Sequence, residues 1–215
     1  FEAGAKTSFR GAVPGYFNAA GFYNKFRDQQ LAVNTVVAPN FIGIIPNAQP
    51  IVNAGKSRIW GIEADASISP FAGLKIDVAY AYLNTKLQSF VAPPRPIYYS
   101  ELIPTAQVGQ ALALSPKNRV TVSGTYTLPL DESVGRISFG ATLTHTDANR
   151  AVSPLASPNF FKLKETNLVN LNASWESILG SPLDLSFFMT NATNEKRILA
   201  PSTSLATIGG EGGHL

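Results

Sequence analysis

Residues 59–69 read Ile59-Trp60-Gly61-Ile62-Glu63-Ala64-Asp65-Ala66-Ser67-Ile68-Ser69, and their alternation decides the fold. Trp60, Ile62, Ala64, Ala66 and Ile68 fall on one parity, and Glu63, Asp65, Ser67 and Ser69 on the other. Successive strand side chains point to opposite faces, so this is a strand with one apolar and one polar face. Past the turn signal Pro70–Gly73 the pattern resumes, with Leu74, Ile76, Val78, Tyr80 and Tyr82 against Lys75, Asp77, Ala79 and Ala81.

The same period recurs outward in both directions. Residues 1–10 set Phe1, Ala3, Ala5 and Phe9 against Glu2, Lys6, Ser8 and Arg10. Residues 16–24 are weaker, with Phe17, Ala19, Gly21 and Tyr23 opposite Asn18 and Asn24. Downstream, Val120, Val122, Tyr126 and Leu128 alternate with Arg119, Thr121, Ser123, Thr125 and Thr127. Ile137, Phe139, Ala141 and Leu143 alternate with Arg136, Ser138, Thr142 and Thr144. Val169, Leu171, Ala173 and Trp175 alternate with Asn170, Asn172, Ser174 and Glu176. Leu183, Leu185, Phe187 and Met189 close the series against Asp184, Ser186 and Thr190. These eight two-faced strands are predicted to form one all-β, antiparallel meander.

Composition says what the polar face is made of. Charged residues are 14% of the 215, against about 25% in ordinary soluble domains. Ser, Thr, Asn and Gly take their place. The 17 Lys and Arg against 14 Asp and Glu form no run, so the net +3 does not point to nucleic acid. With 0 Cys there is no disulfide framework, thiolate metal site or thiol nucleophile. No apolar stretch is long enough for a transmembrane helix. The chain opens at Phe1 in mid-pattern, without a Met or a leader, and reads as a piece of something longer.

Turn signals at Ala12–Gly15, Pro70–Gly73, Asp131–Gly135 and Leu179–Pro182 alternate strictly with long connections at about 37–56, 87–117, 147–165 and 199–215. In an up-and-down meander that puts every tight turn at one end and every long loop at the other. Two architectures compete. A soluble sandwich or lipocalin-like barrel turns its apolar face inward and shows water a row usually rich in Lys and Glu. A transmembrane barrel turns the apolar face to lipid, the polar face to a wet lumen, and sets aromatics at the interfaces. Here the apolar rows carry no charge, and Phe9, Trp60, Tyr80, Tyr82, Tyr126 and Trp175 sit near row ends. That arrangement and the one-ended loops favour the membrane barrel.

Several stretches resemble the C-terminal part of TonB-dependent outer-membrane receptors. Phe1-Glu2-Ala3-Gly4-Ala5-Lys6-Thr7 is similar to that family's aromatic-Glu-x-Gly-x-Lys strand, and Ala20-Gly21-Phe22-Tyr23-Asn24 to the strand after it. The run from Asn53 through Arg58-Ile59-Trp60-Gly61-Ile62-Glu63 to Ala64 is the nearest likeness. Ser115-Pro116-Lys117-Asn118-Arg119 resembles the Pro-Lys before a later strand, and Thr190-Asn191-Ala192-Thr193-Asn194-Glu195-Lys196-Arg197 the segment before the last loop. Residues 1–215 would then be about eight strands of a barrel of about 22 with a plugged lumen. The plug, the earlier strands and a final aromatic-ended strand would lie elsewhere. The resemblance implies a bacterial outer-membrane location, contact with outer-membrane lipid, a TonB complex acting through an N-terminal plug, and no cofactor. It also implies a small nutrient ligand such as a siderophore, cobalamin or an oligosaccharide. Another chain completing the barrel is a further possible partner.

Candidate site residues fall into two groups. Glu63 and Asp65 share a face about 7 Å apart, a spacing that inverting glycosidases use. A wet lumen tolerates charges as readily, and no substrate-binding set accompanies them. With Arg119, they are expected to face the lumen or touch the plug. The 87–117 loop holds Phe90, Pro93-Pro94-Arg95-Pro96, Tyr98, Tyr99 and Glu101. Prolines there lower the cost of ordering, and aromatics offer stacking surfaces, so Tyr98, Tyr99, Arg95 and Glu101 are the expected substrate contacts. Phe41, Ile42, Ile44 and Ile45 are oddly apolar for an exposed loop and suit a cover over the lumen mouth or a partner contact.

Other signals are bland. His145 and His214 are far apart without an acidic cluster, so neither suggests a metal site, and His145 suits an interface. Gly209–Gly213 lacks the strand–turn–helix setting of a phosphate loop. No nucleophile–base set can be assembled, so no enzyme is expected. The alternative to a receptor is a stand-alone eight-stranded barrel serving as anchor or adhesin.

Overall fold

The computed structural model describes residues 1–43, 50–104, 107–151 and 162–197. Ile44, Ile45, His214, Gly209–Gly213 and the 199–215 loop lie outside the described residues. The strands, in chain order, are β1 (Glu2–Phe9), β2 (Gly15–Val37), β3 (Ile51–Phe71), β4 (Leu74–Phe90), β5 (Tyr99–Pro104) and β6 (Asn118–Thr127). They continue with β7 (Arg136–Thr146), β8 (Asn149–Arg150), β9 (Lys162–Leu163), β10 (Thr166–Glu176) and β11 (Leu185–Met189). Nine of them form one antiparallel sheet, eight along the path β1-β2-β3-β4-β6-β7-β10-β11 and β5 beside the end of β2. Each main strand pairs with its neighbour along the chain, as the alternation predicts. β1 and β11 are the two edges of this path and do not pair with each other, so the sheet is not a closed barrel.

Register fixes the two faces. One continuous row runs Phe17–Ala66–Val78–Val122–Leu143–Val169, and a second runs Gly15–Ile68–Ile76–Gly124–Ala141–Leu171–Met189. Side chains on these rows are exposed or half-exposed (Phe17 47%, Leu143 44%, Met189 43%), an apolar surface that none of the described residues covers. The opposite rows run Lys6–Asn18–Asp65–Ala79–Thr121–Thr144 and Ser8–Tyr16–Ser67–Asp77–Ser123–Thr142–Asn170. A one-residue slip would exchange the faces along a whole strand, so the hydrophobic pattern pins the register.

The tight turns fall where the sequence puts them. Gly73 between β3 and β4 has φ +84°, a conformation that glycine adopts without a Cβ penalty. A 3-10 turn, Ile178–Gly180, joins β10 to β11. Among the described residues, no helix is long and apolar enough to cross a membrane, which says nothing of strands.

At the long-loop end, the structure exceeds the sequence reading. β2, β3 and β4 span 23, 21 and 17 residues, whereas about 9–11 tilted residues cross a bilayer. The 37–56 loop therefore gives its last residues, Ile51–Lys56, to β3. β3 pairs with β2 as far as Ala32, and β5 from within the 87–117 loop takes over at Val33. The 147–165 loop contributes the short β8–β9 ladder.

Candidate functional site

The polar face builds a trough across β1, β2, β3, β4 and β6. Gly4, Ala20, Ala79 and Ala81 form its low floor, and Glu2, Lys6, Asn18, Glu63, Asp65 and Arg119 rise around it, enclosing about 710 Å³. Register explains the grouping, because Ala20, Glu63, Ala81 and Arg119 are successive cross-strand partners. Asn18 and Asp65 are direct neighbours, and the Asn18 Nδ2 donates to Asp65 Oδ2 at 3.0 Å. Among the described residues, Glu63, Asp65 and Arg119 form no ion pair. The structure thus brings these three predicted residues together on one face.

Beyond Glu63, the same face turns apolar toward the long loops. Phe22, Gly61 and Leu83 form one rung, and Asn24, Ile59 and Thr85 the next. Segment 107–117 folds over it. Leu112 N donates to Thr85 Oγ1 at 2.9 Å, Thr85 Oγ1 and Ser115 Oγ share a hydrogen bond of 2.9 Å, and Leu87 N donates to Gln110 O at 3.0 Å. Leu87 is fully buried with Leu31, and Phe90 and Leu112 pack on them. Sequence reading treats all of 87–117 as exposed loop. Its missed role is an inward strap; in the run Ala111-Leu112-Ala113-Leu114, Leu112 packs inward and Leu114 stays exposed.

The four loop candidates separate. Tyr99 is buried with Val33 and Leu102, its ring against Tyr98 at 4.6 Å. Its face is taken up by packing. Tyr98 is half-buried and lies 5.7 Å from Phe41, so the apolar 37–56 loop and the aromatic 87–117 loop meet at this ring. Arg95 Nε donates to Tyr99 O at 3.0 Å and fixes the bend into β5. Glu101 is exposed on β5, paired in register with Val36.

His145 lies on the apolar-face row beside Val120, at the long-loop end of β7. Its Nδ1 shares a hydrogen bond with Asn167 Oδ1 at 2.8 Å and its Nε2 with Asp147 Oδ1 at 3.0 Å. Asn118 donates to Asp147 Oδ2 through its backbone N–H (3.0 Å) and its side chain (2.7 Å), and Tyr80 donates its hydroxyl to Asn118 at 2.8 Å. Burial pushes the Asp147 carboxyl up, but the bonds from Asn118 and His145 outweigh it and hold the group below the usual carboxylate range. This polar knot ties β4, β6, β7 and β10 together. Among the described residues no cluster could hold a metal ion.

An uncovered apolar face, a polar face with charges in its middle, and long loops confined to one end are now all in place. The family described as TonB dependent receptor-like, beta-barrel matches residues 1–192. The chain belongs to that family. Its fold also resembles parts of several solved structures. It matches the siderophore receptor PiuA from Acinetobacter baumannii at a TM-score of 0.63 and 17% identity, over 91% of this chain and 24% of that one. The ferric yersiniabactin uptake receptor FyuA from Yersinia pestis gives 0.60 and 13%, over 91% and 25%. The FrpB iron transporter from Neisseria meningitidis (F3-3 variant) gives 0.56 and 14%, over 91% and 26%. The chain therefore spans about a quarter of the length of the receptors it matches. No curated protein sequence matches it. Membership in that family gives the open sheet its meaning as part of a barrel wall.

Proposed function

We propose that this chain supplies part of the barrel wall and several outer loops of a bacterial outer-membrane receptor that takes up a scarce nutrient. In this reading a plug elsewhere in the protein fills the lumen and couples to a TonB complex, and the chain makes and breaks no bond. The observation that carries it is the two-faced sheet itself. An apolar face this continuous needs lipid, and the unpaired trough charges need a wide lumen. Iron chelates lead the possible ligands, because PiuA is described as a siderophore receptor, FyuA as a ferric yersiniabactin uptake receptor and FrpB as an iron transporter. Cobalamin and oligosaccharides remain in the class. Ligand contact is assigned to Tyr98 and Glu101 at the outer face, with Arg95 and Tyr99 shaping the loop that presents them. Glu63, Asp65 and Arg119 face the plug.

The test is uptake of radioactive iron, supplied as a panel of ferric siderophores, by iron-starved cells expressing the full-length protein. Accumulation that requires both the protein and TonB, and that falls on Tyr98→Ala, is expected. Iron uptake unchanged by deletion of the protein would refute the iron-chelate reading.

A further inference from the structure

The apolar face changes character at the long-loop end. From Ile68 on β3 up to Trp60, and from Ile76 on β4 up to Tyr82, its rows carry no charge. Trp60 and Tyr82 close this band with ring centroids 5.2 Å apart, and Tyr23 stands opposite Trp60 in register. The next rung on the same face is Lys25–Arg58–Lys86, three cations paired directly across β2, β3 and β4. At about 3.4 Å per residue and a tilt of about 40°, the stretch from Ile68 to Arg58 rises roughly 26 Å. The rung therefore begins where an apolar band of about 25 Å ends.

Like charges directly opposite one another on neighbouring strands repel, because their Cβ atoms lie about 5 Å apart. Little on these strands offsets the repulsion. Beyond the aromatic rung, β2, β3 and β4 hold Lys25, Arg27, Lys56, Arg58 and Lys86 against a single carboxylate, Asp28. Asp28 sits in the irregular stretch between Phe26 and Gln29, and among the described residues no salt bridge reaches the rung. The contacts that do exist orient the cations without neutralising them. Arg58 Nη2 donates to Asn84 Oδ1 at 3.1 Å, and Lys25 Nζ lies 5.7 Å from the centre of the Tyr23 ring. Arg58 Nε is buried with no partner among the described residues, while Lys25 and Lys86 are exposed. The rung has donors in excess and lacks an acceptor.

We propose that Lys25, Arg58 and Lys86 form a binding site for the phosphate group of an outer-leaflet lipid whose acyl chains lie along the apolar band beside them. Charge alone would suit any anion. A lipid phosphate also accounts for the position of the rung, on the face turned away from the lumen and next to an aromatic belt, which marks headgroup depth. The inference rests on the receptor reading, which puts the long loops outside the cell. The test uses the full-length protein in a non-ionic detergent, with folding checked by heat-modifiable mobility and bound lipid counted by native mass spectrometry. Its probes are diphosphoryl lipid A, the same lipid with both phosphates removed, and inorganic phosphate. A basic residue beside an anionic headgroup contributes about fivefold in affinity, so the wild type should prefer the diphosphoryl lipid by at least about tenfold. Lys25→Gln and Lys86→Gln should each weaken that binding about fivefold, and the triple variant with Arg58→Gln roughly 100-fold. The two single variants alter exposed side chains and carry the test if the triple does not fold. Lys162→Gln with Lys164→Gln, exposed cations in the connection from β7 to β10, should change binding by less than about twofold, because distant exposed charges are screened. An equal loss in that control, no preference for the phosphorylated lipid, or inorganic phosphate bound as tightly as the lipid overturns the site and leaves the receptor reading intact. A wild-type protein without heat-modifiable mobility sinks the receptor reading instead.

Discussion

Val122 and Ser123 are adjacent, central residues of the ten-residue β6, which is flanked by β4 and β7 on both edges. Ten residues at about 3.4 Å, tilted about 40°, rise roughly 26 Å, close to the 25 Å apolar band of an outer-membrane barrel. Both therefore sit near the bilayer midplane and differ only in face. Val122 lies on the apolar row between Val78 and Leu143, whereas Ser123 shares its lumenal bond with Thr142. Arginine on the lipid face at this depth costs about 2–4 kcal/mol, or roughly 30- to 700-fold in the folding equilibrium. In the lumen it stays hydrated, and Ser123→Arg loses one hydroxyl bond worth about 0.5–1.5 kcal/mol. Urea titration of the full-length protein refolding into phospholipid vesicles should thus put Val122→Arg about 1–3 kcal/mol below Ser123→Arg. Equal losses, or a greater loss for Ser123→Arg, would show that the faces are assigned wrongly and that the soluble arrangement holds.

Three further outcomes follow from local geometry. Gly73→Val should destabilise the β3–β4 turn by at least about 1–2 kcal/mol, since φ is +84° and a Cβ would meet Thr127 O, and the same titration reads the loss. Leu87→Ala should cost about 2–5 kcal/mol of local stability, seen as faster amide exchange at Gln110 and Leu112 with the lower strands unchanged, because Leu87 is fully buried under the 107–117 strap. In the tight turn, the Ser133 hydroxyl and N–H hold the Asp131 carboxyl below its usual range. Its contribution is present above the unfolded value of about 3.9 and is lost as pH falls through the lower folded value. Exchange at the Ser133 amide should quicken in that window, and Asp131→Asn should abolish the dependence.

The eight wall strands are legible in the sequence because lipid on one side and water on the other force a strict period of two. That constraint ends at the membrane surface. Above it both faces meet water or loops, so β2 continues from Asn24 to Val37 with no alternation to announce it. Irregular register between Phe26 and Gln29, with Asp28 at φ +53°, breaks the parity further. β5 is hidden for another reason. Its partner is Val33–Val37, over sixty residues earlier, and nothing local in Tyr99–Pro104 encodes that pairing. The same long-range contact separates Tyr98 from Tyr99. Adjacent and identical in sequence, they differ because β5 docks one ring against Val33 and leaves the other half-open to Phe41.

The lumenal charges measure the width of the barrel to which this wall belongs. Glu2, Lys6, Glu63, Asp65 and Arg119 surround one trough, yet among the described residues the ion pairs are Lys75–Asp77 and Arg136–Glu176, with His145–Asp147 joining them when the imidazole is protonated. None of those pairs closes the trough. An eight-stranded barrel has an interior just wide enough for packed side chains, where each unpaired charge would cost several kcal/mol. The sequence could not have been selected for that interior without bringing Glu63 and Arg119 together, and register puts Ala81 between them. A wide lumen imposes no such pairing, because water or a second body solvates each group where it stands. The trough residues and the edges at β1 and β11, unpaired on their outer sides among the described residues, therefore support one conclusion: the wall curves around a space much larger than its own side chains can fill.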